Sequence, residues 1–192
     1  LDLATDRIHR VDTGRVAAAR NFSVLQDRAG NLWLGNDNGL FVRHAGSRTF
    51  ARPAQTDTAA IRVLANQIWA LSEDKSGRIW VSSGQAGAAW RDIHGHWHAV
   101  PGFNETQLHG HLPTVRTLLP THAGRVWIGT DGDGVLTYRP GDKDFRTVRH
   151  DTAIISSLPG DTVRALIKDR TGNIWAATDL RATRTNVDSH LA

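Results

Sequence analysis

The chain has no cysteine, no methionine and one tyrosine, and it carries 3 lysines against 20 arginines. Without cysteine there is neither a disulfide nor a thiolate metal site, which fits an oxidising compartment and a reducing one alike. No run of about 18 apolar residues occurs, so no stretch reads as a membrane-spanning helix. No basic-then-apolar leader opens the chain, and no signal peptide is expected. Methionine is missing even at position 1, which makes a piece of a longer protein the expectation. The net charge is +4, but the arginines are scattered from Arg7 to Arg184 with acidic residues between them. No basic run of five and no aromatic-rich motif accompanies them, so nucleic acid is not an expected partner. What remains is a 192-residue chain long enough for one sizeable core.

What is present is a repeat. DRAGNLWLGND at 27–37 returns as DKSGRIWVSSG at 74–84, THAGRVWIGTD at 121–131 and DRTGNIWAATD at 169–179. Trp33, Trp80, Trp127 and Trp175 stand 47, 47 and 48 residues apart, and Gly30, Gly77, Gly124 and Gly172 keep the same step. Two further registers run in phase: Phe50, Trp97 and Phe145, and Val42, Trp90 and Tyr138. A period of this length means one supersecondary unit written several times.

Each unit opens with apolar alternation (SVLQ, IWALSE, VRTLL, VRALI), followed by a polar turn with a glycine and a strand of the LWLG type. Strand, Asp/Gly turn, strand reads as a hairpin, with glycine supplying positive φ. A second Gly-rich turn, a third strand and a fourth (RTFAR, HWHAV, DFRTV) complete it. No segment shows a sustained helical period. The fold class is therefore all-β, a β-propeller segment of about four four-stranded blades, three complete and the last partial, in a larger ring. The expected divisions are 1–20 for the end of a preceding blade or a linker, then blades at 21–55, 56–102, 103–150 and 151–192. The tryptophans and their glycines read as scaffold, each indole packing on the neighbouring blade. After Asp179 no clear hairpin follows.

The pattern D-x-x-G-N-[IL]-W-[IL]-G-T, as in DRAGNLWLGND, THAGRVWIGTD and DRTGNIWAATD, resembles the two-component regulator propeller repeat family. SSLPGDTVRALIKD at 156–169 resembles that family's lead into a new blade, and the likeness covers about residues 21–180. The resemblance implies the extracytoplasmic, periplasmic sensor region of a membrane-anchored signalling receptor, with a histidine kinase or diguanylate cyclase as output. Such regions also carry more blades, a sandwich domain, a membrane helix and the output module, of which these residues hold only the repeats. The second repeat departs from the pattern, with VSSG after its tryptophan.

Propeller ligands sit on the face where the strand 2–3 turns and strand 4–1 links emerge. That singles out Asn36, Asp37, Asn38, Gln85, Asp131, Asp133 and Asp179 from the turns. Asn66, Gln67, His109, His111 and Asp161 come from the links. Arg116 and Arg164, equivalent by the repeat, are placed to ring a pore entrance and attract an anionic ligand. DGDG at 131–134 reads as a tight turn, since it lacks the later carboxylate of a calcium loop. His96 and His98 flank Trp97 on an outer strand and read as a solvent-facing pair, not as metal ligands. No metal, cofactor or catalytic residue is expected. The function these readings favour is non-catalytic sensing of a small molecule or glycan, with self-association through blade faces. A propeller lyase or hydrolase of the streptogramin-lyase type and a stand-alone protein-interaction platform are the alternatives.

Overall fold

The computed structural model describes residues 16, 19–54, 57–103, 114–121, 124–155 and 157–180, and the backbone of 182–185. Four antiparallel sheets follow one another along the chain. The first holds β1 (Asn21–Gln26), β2 (Leu32–Asn36) and β3 (Gly39–Arg43). A short helix, α1 (Thr58–Leu64), leads into β4 (Ile68–Glu73), β5 (Ile79–Ser83), β6 (Gly87–Arg91) and β7 (Trp97–Ala99). The third sheet is β8 (Val115–Pro120), β9 (Val126–Thr130), β10 (Val135–Tyr138) and β11 (Arg146–Val148). The last is β12 (Val163–Lys168), β13 (Ile174–Thr178) and β14 (Ala182–Thr185). Each sheet is a blade, and the first strands β1, β4, β8 and β12 lie side by side between blades, as around a propeller axis.

The repeated turn explains itself in atoms. Gly30, Gly77, Gly124 and Gly172 all have positive φ, between 74° and 97°. The aspartate that opens the turn grips the tryptophan six residues on. Trp33 Nε1 donates to Asp27 Oδ2 at 2.8 Å, Trp80 Nε1 to Asp74 Oδ2 at 3.1 Å and Trp175 Nε1 to Asp169 Oδ2 at 2.9 Å. The same carboxylates accept backbone N–H groups of the turn, Asn31 N on Asp27 and Arg78 N on Asp74 among them. In the third repeat Thr121 stands in, its hydroxyl donating to Arg125 O at 2.9 Å. In the first, second and fourth repeats the indole is thereby held by a turn of its own blade.

The core lies between blades. Trp33, Leu40 and Val42 pack with Ile68, Ile79, Val81, Ala89 and Trp97 of the second blade. Trp80 and Ala88 pack with Leu118, Val126, Ile128, Leu136 and Tyr138 of the third. Trp127 and Val135 pack with Val163, Leu166, Ile174 and Ala176 of the fourth. Because side chains alternate along a strand, one residue of each pair faces backward and the next forward, so Ile128 joins the second cluster and Trp127 the third. Trp33 meets Trp97 edge-on at 5.9 Å and Trp80 meets Tyr138 edge-on at 6.3 Å, a geometry that adds about 0.5–1.5 kcal/mol per pair beyond burial. The glycine two residues after the tryptophan has a packing cause. A Cβ on Gly35 would lie 2.5 Å from Ile68 Cγ2, and one on Gly129 would lie 2.9 Å from Val163 Cγ1, so the next blade's first strand would be pushed away.

Three sequence expectations are revised. A helix exists: Asp57 caps it, its carboxylate accepting from Ala59 N and Ala60 N, and Ala60, Val63 and Leu64 are buried in the first inter-blade core. The fourth strand expected at RTFAR shrinks to one bridge, Val42 with Ala51; Pro53, two residues on, has no N–H to continue the ladder. Beyond Asp179 a strand does form, since β14 pairs along β13 from Ala177–Ala182 to Ile174–Thr185. Trp175 differs from its three equivalents in being exposed, for among the described residues no blade follows to cover it.

Candidate functional site

Every first strand carries a bulge at one register. The pairing skips from Asn21 to Ser23, Ile68 to Ala70, Val115 to Thr117 and Val163 to Ala165. The extra residues are Phe22, Trp69, Arg116 and Arg164. A bulge re-aims its side chain, and here the bulged side chains of the first three blades meet in a row. Phe22 stacks on Trp69 at 5.6 Å, and the Arg116 guanidinium lies over the Trp69 ring at 4.2 Å. Opposite them, four residues after each tryptophan, stand Asp37, Gly84, Asp131 and Asp179. Arg116 Nε donates to Asp131 Oδ2 at 3.1 Å, and Arg164 Nε donates to Asp179 Oδ1 at 2.6 Å. The rim therefore alternates in charge, and each arginine is matched by a carboxylate of its own blade. The Arg164 pair holds the Asp179 carboxyl below its ordinary value.

The second blade replaces this ion pair with Trp69 and Gly84. A Cβ on Gly84 would lie 2.6 Å from Trp69 Nε1, so the VSSG departure makes room for the indole. Gln67 then ties two blades together: its Nε2 donates to Asp37 Oδ1 at 2.6 Å, and its Oε1 accepts from Trp69 Nε1 at 2.7 Å. Arg20 Nε reaches the other oxygen of Asp37 at 3.0 Å. Hydrogen bonds from Gln67 and Arg20 lower the Asp37 carboxyl, against a smaller upward push from burial.

Beside Asp37 opens a cleft of about 430 Å³, lined by Val16, Asp37, Asn38, Phe41, Arg52 and Ala65. Arg52 lies over the Phe41 ring at 4.9 Å, and its Nη2 donates to Asn38 O at 2.8 Å. The cleft thus offers a carboxylate, a guanidinium, an exposed amide and an aromatic face, a set suited to a polar ligand with both donors and acceptors.

The other sequence-selected residues are placed as follows. Asn36 is fully buried, and its Oδ1 accepts from Asn38 N at 2.8 Å, so it shapes the turn. Asn66 Oδ1 accepts from Gln67 N at 2.9 Å. Gln85 is exposed at the turn of the second blade, away from the lining of the cleft. Asp133 is buried, with Arg149 Nη2 3.7 Å from its Oδ1, and Asp161 meets Arg149 Nε at 3.5 Å. The carbonyl of Asp161 accepts from Gly132 N and Gly134 N, which makes DGDG a turn clamped by the link to the next blade. His109 and His111 lie outside the described residues. At the far edge His96 and His98 share Asp92 Oδ2 at 3.4 and 3.1 Å, and His98 stacks on Trp90 at 4.3 Å. Among the described residues no group of three or more metal-binding side chains comes together. Sequence reasoning missed Phe22 and Trp69. The signal was there, since both stand eleven residues before the repeat tryptophan, as Arg116 and Arg164 do.

Four blades in phase around bulged inner strands define a β-propeller segment. The family model described as two component regulator propeller matches residues 63–85 and 157–179, in the second and fourth repeats. Similar in fold, at a TM-score of 0.69 and 20% identity, is the extracellular domain assigned to a hybrid two component system of B. thetaiotaomicron; the match covers 86% of this chain and 21% of that one. The virginiamycin B lyase of Staphylococcus aureus matches at a TM-score of 0.60 and 11% identity, over 86% of this chain and 55% of the lyase. A xyloglucanase of Hypocrea jecorina is 30% identical over 130 residues, 64% of this chain and 14% of the enzyme. This chain thus spans between 14% and 55% of the longer proteins it resembles, and the two structural likenesses establish the fold alone. Among the described residues no helix is long and apolar enough to cross a membrane.

Proposed function

We propose that this chain is a non-catalytic, ligand-sensing propeller segment of a bacterial two-component sensor protein. It works outside the cytoplasm, in the periplasm, and signals to a histidine kinase or diguanylate cyclase module outside these residues. The family of the repeats supports the class. The observation that carries the sensing role is the double attachment of Asp37, held by Arg20 on one side and by Gln67 of the second blade on the other. A ligand in the adjoining cleft competes for Asp37 and so changes the contact between two blades. A ligand shifts a conformational equilibrium by as much as it distinguishes the two states, and an inter-blade hydrogen bond supplies such a difference. The ligand class is a small polar molecule or glycan, and the name of the xyloglucanase relative puts xyloglucan oligosaccharides first to be tried.

The test is calorimetric titration and thermal melting against a panel of neutral and acidic oligosaccharides. A ligand that binds the native chain and fails to bind Asp37→Ala and Arg52→Ala, with their melting temperatures little changed, supports the cleft. Binding undiminished in both variants removes the cleft from the account. A protein captured in place of any small ligand turns the reading toward the interaction platform.

A further inference from the structure

The arginines at the rim and in the cleft differ in what answers their charge. Arg116 and Arg164, expected from the sequence to attract an anion, are paired with Asp131 and Asp179. Arg20 is paired with Asp37. Arg52, in the wall of the cleft, makes no ion pair among the described residues. It is nevertheless held in place. Its guanidinium lies over the Phe41 ring at 4.9 Å, and its Nη2 donates to Asn38 O at 2.8 Å. The turn leaves room for it: Gly39 has a φ of 116°, and a Cβ there would lie 3.0 Å from Arg52 Nη1. Among the described residues nothing accepts from its Nε or Nη1. A positioned guanidinium with spare donors matches a planar carboxylate, which it grips through two parallel N–H···O bonds.

The opposite wall differs in kind. Both oxygens of Asp37 are engaged, Oδ1 by Gln67 Nε2 and Oδ2 by Arg20 Nε. With Arg20 set against Asp37, the charge left over at the cleft is the positive one on Arg52. We propose that the ligand of this cleft is an acidic sugar, a uronate whose carboxylate is gripped by Arg52. The inference rests on the sensing reading above and narrows its ligand. A ring hydroxyl of the same sugar can donate to Asp37 in place of Gln67, so one molecule uses both walls. A neutral sugar leaves the guanidinium without a counter-ion, and a simple carboxylate brings no hydroxyl to Asp37. The volume, about 430 Å³, falls within the range of about 300–1,000 Å³ usual for ligand sites. Because Arg52 is already held by Phe41 and Asn38, little side-chain freedom remains to be lost on binding.

Magnetic-resonance titration of the isotope-labelled chain decides it, with galacturonate and glucuronate oligosaccharides as probes. Their carboxyl-reduced forms, equal in linkage and length and lacking only the charge, are the controls. At least one uronate is expected to move the Arg52 Nε–H signal at concentrations where its reduced form leaves that signal in place. Binding should weaken about ten- to a hundredfold in Arg52→Gln, as one charge-assisted contact is lost. It should recover in part in Arg52→Lys, which keeps the charge and loses the fork; a purely structural role for Arg52 predicts no such rescue. Residue 52 is exposed, so both variants are expected to melt with the native chain. A reduced sugar, or a neutral xyloglucan oligosaccharide, that binds through Arg52 as tightly as the uronates overturns the acidic class and leaves the sensing reading standing. Uronate binding undiminished in Arg52→Gln, or an Arg52 signal unmoved by every uronate, overturns it as well. Uronate binding at Arg52 that leaves the Gln67 Nε2 signals unmoved supports the acidic ligand and removes the inter-blade switch, so the two readings fail separately.

Discussion

Replacing Asp27 with alanine removes in one step the acceptor of Trp33 Nε1, Asn31 N and Asn31 Nδ2. The indole N–H is left buried without a partner, which costs about 1–3 kcal/mol. Asp27→Ala is therefore expected to lower the urea midpoint clearly. Asp169→Ala is expected to lower it less, because water reaches the exposed Trp175. The effect depends on pH. Burial on its own would raise the Asp27 carboxyl, but hydrogen bonds from Asn31, Trp33 and the turn backbone outweigh it and hold it below 3.8. At Asp169 hydrogen bonds from Trp175, Asn173 and Thr171 act the same way. A carboxyl lowered in the fold stabilises fully above its unfolded value and loses that contribution as pH falls from 3.8 toward the folded value. The penalty of Asp27→Ala, measured by urea unfolding, should thus be large near pH 7 and should shrink below about pH 3.8. At the indole itself, Trp127→Ala is expected to cost about 3–5 kcal/mol, as for a large aromatic in a core. Trp175→Ala should cost a small part of that, since its indole is exposed, and equal melting temperatures for the two would contradict the inter-blade packing. The tryptophan period was legible in the sequence because only one residue type fills that volume. The aspartate's grip on it was harder to see, since an aspartate in a turn already has a local reason to be there.

Among the elements, α1 shows why a short helix escapes a reading by periodicity. It has seven residues, too few to repeat an apolar stripe. Its only marks are Asp57 and the buried set Ala60, Val63 and Leu64. Asp57→Ala removes the acceptor of Ala59 N and Ala60 N and is expected to cost about 0.5–2 kcal/mol, read as a lowered unfolding midpoint. The residue after the helix, Ala65, lines the cleft beside Asp37, so the same variant should weaken any ligand bound there even under conditions where the chain stays folded. An unchanged midpoint would mean that the helix is held by its packing under the first and second blades and not by its cap. The bulges were invisible for a different reason. Alternation along LQ or IK looks the same whether the strand slips by one residue at its start or not. Only the pairing partner, Gly35 or Ala177, reveals the extra residue. The aromatic and arginine row at the rim therefore emerged from pairing, although all four of its residues keep one step in the sequence.

Across the whole molecule each blade touches the next through one apolar layer, so stability is a sum of blades and nearest-neighbour contacts. The period could give the number of blades, because each is written in the sequence. It could not give which faces are covered, because every blade is written with the same two faces. Amide exchange measures that difference. β9 and β13 are both central strands, β9 between β8 and β10 and β13 between β12 and β14, so their ladders are equivalent. They differ in cover: the β9 indole lies under the fourth blade and the β13 indole is open. In dilute solution the amides of Ile174–Thr178 are expected to exchange faster than those of Val126–Thr130, since a strand with less buried apolar contact opens at lower free energy. Equal protection at β9 and β13 would indicate one cooperative unit, in place of a row of neighbours.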